Sequence, residues 1–311
     1  MAKNAIFGGA MGIVRIGWVR SLEYTRGGLY MKKLVYAFLV IAIISVVTAA
    51  CPAFAWVQLK SDTEDYLRLR ELLFCDMKLD STLETLVTDD PGLALAISDM
   101  RVGKYETAKA TIERSDIAEK LKWDPLYWFA LAKLRRANGD VPGAKNAVWQ
   151  ILASDDSRNQ IITWAILRDL GYQPNKNDAG RVLGVVVEMG IKEDYSCTLA
   201  GYTDGTTRLY IVVSGKLGGF LEDGNDTTRA AGKTLAATAQ PVVSTIPVTT
   251  SKPLPSAGRI RFMILTPGGM HCADISEKDL QTPNHPLLPL YKSTQGLMDI
   301  MIKLIQASKQ K

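Results

Sequence analysis

Two histidines and four cysteines carry most of what this chain offers to nucleophilic or metal chemistry. His271 and Cys272 are adjacent in a stretch of strand character. Successive strand residues point to opposite faces, so neither can serve as the other's base. Cys197 with His271 needs their two strands to be neighbours, and a thiol nucleophile also needs an orienting third group, for which Asp204 and Asp274 are at hand. His285, between Asn284 and Pro286, reads as a turn residue. There is no CxxC, and histidine is too scarce for a zinc pattern, so the reading assigns no metal, no cofactor and no catalytic residue. Gly232-Lys233-Thr234 has the ending of a phosphate-binding loop. Thr227 stands where the first glycine belongs, and the triplet falls inside an expected helix instead of opening one. The acids Glu222, Asp223 and Asp226 around Gly224 lack the alternating spacing of a calcium loop and read as a solvated turn and helix cap.

The compartment is the strongest functional statement in the sequence. From Met31, Lys32 and Lys33 precede an uncharged apolar run, followed by Pro52 and the small-x-small trio Ala53-Phe54-Ala55. This is the order of an export signal. Residues 1–30 are expected to be a non-structural extension, with translation starting at Met31: Arg26-Gly27-Gly28 requires purine-rich codons where a bacterial ribosome-binding site would lie. The apolar segment has three fates. Cleavage after Ala55 releases a soluble chain from Trp56; Cys51 is a candidate lipid-attachment cysteine; or Leu34–Leu59 stays as an anchor long enough to cross a bilayer. In each case the rest of the chain lies outside the cytoplasm, either periplasmic, secreted or membrane-anchored. Two cysteines can pair in such a compartment, and Cys197 with Cys272, both in expected strands, is the candidate disulfide. Three buried, reduced cysteines is the competing expectation.

The chain has 37 basic and 32 acidic residues, but residues 1–55 hold six of the former and one of the latter. The remainder carries 31 of each sign, so no basic face for nucleic acid is expected. That remainder suits two domains: a helical one over 57–175 and a sheet one over 180–311, divided at the polar stretch Asn175–Gly180.

The helical part repeats itself at an offset of 36 residues. Met100-Arg101-Val102-Gly103-Lys104-Tyr105 and Ala108-Lys109 recur as Arg136-Ala137-Asn138-Gly139-Asp140-Val141 and Ala144-Lys145. Leu95, Leu131 and Leu167, and Trp128 and Trp164, follow the same offset. Such periods mark stacked helix pairs. Residues 90–171 resemble a tetratricopeptide-type repeat, with Gly103 and Gly139 at the turns and a third half-copy ending at Gly171. The resemblance implies a concave surface for a protein or peptide, lined by Ile97, Met100, Phe129, Lys133 and Arg136. Two helices starting near Asp62 and Ser81 are expected to cap the stack.

From residue 182 the pattern is four strands, a helix from about Asp226 to Ala239, a proline-rich loop, a second hairpin and a closing helix over about Leu287–Ala307. Asp204-Gly205 is a two-residue hairpin signal. The fold class is therefore α+β, with an antiparallel ββββα-ββα sheet half-buried under its helices. The layout is similar to profilin-like and roadblock-like modules, and residues Gly184 to Ile305 resemble a module of uncharacterised bacterial proteins. The functional expectation is an exported or tethered scaffold that binds another protein. An extracytoplasmic hydrolase with a site between the domains, and an envelope subunit that homodimerises through the sheet, are the alternatives.

Overall fold

The computed structural model describes residues 70–85, 88–192, 195–213, 216–223 and 225–308. The leader and its candidate residues Cys51, Ala53 and Ala55 lie outside them. Among the described residues no helix is long and apolar enough to cross a membrane.

After a helical turn at residues 70–74 come α1 (Leu79–Thr85), α2 (Pro91–Arg101), α3 (Tyr105–Ile112), α4 (Ser115–Leu121), α5 (Pro125–Ala137), α6 (Val141–Trp149) and α7 (Ser157–Asp169). The starts of α2, α5, α6 and α7 are fixed by aspartates. Asp90, Asp124, Asp140 and Asp156 each accept from a backbone N–H in the first turn, and prolines occupy the first or second position of the first three helices, where no amide is needed. The ends of α2, α5 and α7 are fixed by glycines. Gly103, Gly139 and Gly171 have φ of 78–79°. In each case the next residue's N–H reaches back around the turn: Lys104 to Asp99 O at 2.8 Å, Asp140 to Arg135 O at 2.9 Å and Tyr172 to Leu167 O at 2.8 Å. This is the glycine C-cap that lets a helix stop and the chain reverse. The pairs α2/α3 and α5/α6 thus have the same turn at the expected 36-residue offset.

After a short α8 (Lys176–Ala179), the second part runs β1 (Gly184–Lys192), β2 (Tyr195–Tyr202), β3 (Thr207–Val213), β4 (Lys216–Asp223), α9 (Asp226–Ala239), β5 (Val248–Thr249), β6 (Arg259–Thr266), β7 (Gly269–Ser276), α10 (Glu277–Leu280) and α11 (Leu288–Ser308). The class is α+β. The sheet order is β4-β3-β2-β1-β6-β7-β5, and each pairing is antiparallel. The two-residue edge strand β5 lies in what was expected to be open loop, and joins because Val248 and Thr249 pair with His271 and Met270.

The half-buried sheet of the sequence reading is corrected. One face (Val185, Val187, Leu199, Leu209, Phe262, Ile264) packs on α9 and α11. The other (Val186, Ala200, Tyr202, Met263, Leu265, Met270) joins the helical stack in a continuous core. Strands buried on both sides keep apolar residues at successive positions, as Val185-Val186-Val187 and Phe262-Met263-Ile264-Leu265 do.

Gly232-Lys233-Thr234 proves to be helix–sheet packing. A Cβ on Gly201 of β2 would stand 3.2 Å from the Gly232 Cα, and one on Gly232 would stand 2.6 Å from Thr207 Cγ2. Glycine is required there because α9 crosses β2 and β3 at backbone contact.

Candidate functional site

The five residues expected to line a groove divide into two groups. Ile97, Met100 and Phe129 are buried in the hydrophobic core. Lys133 forms an ion pair with Asp80 of α1 at 3.1 Å, and Arg136 with Asp169 of α7 at 3.0 Å. Helix α1 packs on α5, and Arg101 of α2 donates to Leu83 O at 2.8 Å. The face carrying Phe129 and Lys133 is therefore covered by the chain's own α1.

The stack presents aromatic side chains elsewhere. Trp149 ends α6, Trp164 lies in α7, and Tyr172 follows the α7 glycine turn. Their ring centroids are 5.9 Å (Trp149–Trp164), 5.1 Å (Trp149–Tyr172) and 6.2 Å (Trp164–Tyr172) apart. The Trp149 pairs are edge to face, the preferred aromatic arrangement. Trp164 is buried and backs the cluster, while Trp149 and Tyr172 are 43% and 37% exposed. Trp123, after α4, is 85% exposed, with the Lys122 ammonium 5.8 Å from its ring. Sequence reasoning missed this cluster. The 36-residue offset marks Trp164 as a repeat position, but nothing local says that the turn at Gly171 folds Tyr172 back onto Trp164 and Trp149.

The titratable groups gather where the helical stack meets the sheet. The register puts Tyr210, Thr198, Glu188, Arg261 and Asp274 in one row across β3, β2, β1, β6 and β7, on the face that receives the helices. Glu188 takes both prongs of Arg70, which also donates to Pro253 O. Arg261 and Arg259 both hold Asp274. Burial works against ionisation of Asp274, but the two guanidinium groups hold its carboxyl below the usual range. Glu71 and Asp76 share Lys252 at 2.6 and 3.6 Å, and Asp76 also meets Arg168 at 3.5 Å. Phe74 lies beneath Arg70 and Lys252, 4.9 and 5.2 Å from its ring centre. Each of these acids is engaged by a cation of the protein itself. Among the described residues no group of His, Cys, Asp and Glu converges as a metal site.

Among the described residues Cys75, Cys197 and Cys272 are free thiols, which corrects the disulfide expectation. Cys197 on β2 faces α9 and α11, whereas Cys272 on β7 faces the helical stack. β1 and β6 lie between them, so three strand spacings of about 4.8 Å alone put them at least about 14 Å apart, on opposite faces. A disulfide needs Cα atoms within about 7 Å. The same two strands separate Cys197 from His271, which excludes that pair as a nucleophile and base. His271 Nδ1 is 2.7 Å from Ile246 O, and His285 Nδ1 accepts from Leu287 N at 3.2 Å. Burial pushes the thiols of Cys75 and Cys197 up to about 12 and raises that of Cys272, so none is a ready thiolate.

No known protein family, curated protein or solved structure matches the chain. The class defined by the fold is an antiparallel sheet clamped between two helical layers, one of them a stack of helix hairpins.

Proposed function

We propose that this chain is an exported or membrane-tethered protein-binding platform, whose helical stack is a short tetratricopeptide-like array. The observation that carries the reading is the pair Trp149 and Tyr172, half-exposed and held edge to face over the buried Trp164. Large aromatic rings fixed by packing lose little entropy on binding and dominate protein contacts. The matched glycine turns at Gly103 and Gly139 support the repeat reading, and the signal-like segment from Met31 supports export. The acids described at the junction between stack and sheet are held by the protein's own arginines and lysines, which favours a scaffold over a hydrolase at that place. The test is capture of envelope proteins by the wild-type chain and by Trp149→Ala/Tyr172→Ala. A protein partner retained by the former and lost by the latter, with both chains equally folded, is the expected result. Equal capture would remove the aromatic surface from the account.

A further inference from the structure

We propose that α1 occupies in cis a groove made to receive a short acidic amphipathic helix from a partner, one presenting two leucines four residues apart with an acid directly after the first. This rests on the reading of the stack as a protein-binding surface but not on the aromatic cluster.

Helix α1, Leu-Asp-Ser-Thr-Leu-Glu-Thr, has seven residues. Helices this short do not persist alone in water, so it is ordered by what it lies on. Leu79, Thr82 and Leu83 are buried and Asp80, Ser81 and Glu84 face out, the pattern of a helix set into a groove. Its support is α5, which lies some forty residues further along the chain.

The charges are complementary. The only charged residues of α1 are the acids Asp80 and Glu84, while the surfaces that touch it offer cations. Lys133 of α5 is 14% exposed and pairs with Asp80, which is 66% exposed. Arg101 of α2 donates to the Leu83 carbonyl, at the negative end of the α1 dipole. Beside Lys133, one turn earlier on the same face of α5, Phe129 is fully buried and supplies the apolar floor.

The chain is fixed independently on either side of α1. Upstream, Arg70 and Phe74 are held by Glu188 and the sheet core, and Tyr202 donates to Leu73 O at 2.6 Å. Downstream, Asp90 caps α2 and pairs with Lys120. Helix α1 can therefore leave the groove without releasing its neighbours. Being tethered, it competes at an effective concentration on the order of millimolar, so a partner helix must bind better than α1 does or arrive with a second contact.

The test uses the mature chain and a fluorescein-labelled peptide of residues 76–87, followed by anisotropy. Wild type should take up the peptide only near millimolar concentration. Leu79→Ala/Leu83→Ala in the protein, which weakens the cis helix, should tighten uptake at least tenfold. Adding Lys133→Glu should abolish that gain, and a peptide carrying Asp80→Lys should restore it. Asp80→Lys in the protein alone is the gentler variant and should tighten uptake of the native peptide about threefold. A folded variant that takes up no peptide, or that takes up native and charge-reversed peptides equally, overturns the proposal. So does loss of cooperative melting in Leu79→Ala/Leu83→Ala together with no gain in Asp80→Lys, which would make α1 a structural part of the core. The titration uses no partner protein, so its failure leaves the Trp149–Tyr172 surface standing, and failure of envelope capture leaves the groove standing.

Discussion

The guanidinium of Arg70 and the carboxylate of Glu188 meet as a two-pronged ion pair with side chains only 2% and 1% exposed. It joins the first described helical turn to the middle strand row of the sheet. A pair this deep gains little over apolar packing, but removing one partner strands a buried charge. Arg70→Met or Glu188→Gln alone should each cost about 3–5 kcal/mol. The double variant should cost less than the sum, by a coupling readable in a double-mutant cycle of urea melts. Single variants within about 1 kcal/mol of wild type would contradict the burial described above.

Asp90 and Asp124 cap α2 and α5 in the same manner but titrate in opposite directions. The Lys120 hydrogen bond, against the effect of burial, holds Asp90 below the usual carboxylate range. Burial, only partly offset by the Leu126 N–H, holds Asp124 above it. A lowered carboxyl contributes fully above its unfolded pKa of about 4, and that contribution is lost as pH falls through the folded value. A raised one loses stability as pH rises from about 4 through its folded value. Asparagine keeps either cap. Asp124→Asn should therefore be neutral or stabilising at pH 7, while Asp90→Asn should cost roughly 0.5–1 kcal/mol there, a gap that closes near pH 3. Urea midpoints at the two pH values check both signs.

Gly139 has φ of 79° and nothing within 4 Å of where a Cβ would stand. The cost of Gly139→Ala is therefore one of backbone conformation alone, about 1 kcal/mol. Asparagine, which tolerates the left-handed region better, should cost less. Thermal melts of the two variants give the order directly, and an alanine variant as stable as wild type would contradict the assigned turn.

The thiol account predicts that Cys75, Cys197 and Cys272 all alkylate in denaturant without reductant. In the native chain only the half-buried Cys272 should react, and slowly, since burial raises its thiol. Mass spectrometry of the two reactions decides it. Cys197 and Cys272 alkylating only after reduction would contradict the separation of β2 and β7.

The elements of the sheet part were legible because each is marked locally. Asp204-Gly205 set the β2–β3 hairpin, with Gly205 at φ 91°; the start of α9 was legible near Asp226, although the cap is Asn225, whose side chain accepts from Thr228 N, and not Asp226 or Thr227. The helix hairpins were legible through Gly103 and Gly139. A second signal was overlooked: Asp90-Pro91 and Asp124-Pro125 recur at 34 residues and mark the starts of α2 and α5. The docking of stack on sheet was not legible. Glu188, Arg261 and Asp274 alternate with apolar residues as a water-facing row would, and nothing local says that Arg70, over a hundred residues away from Glu188, neutralises that row. For the same reason Ile97, Met100 and Phe129 looked like groove residues. Their apolar character was evident, but not that all three are buried in the chain's own core together with Leu79 and Leu83.

The central claim, that the aromatic end of the helical stack binds a partner protein, is tested most directly by photocrosslinking in the native host. A photoreactive residue placed at position 172 of the full chain should give a discrete heavier adduct on irradiation. One placed at Arg229, exposed on α9 at the far face of the sheet, should give none. No adduct from position 172, or the same adducts from both positions, would contradict the account.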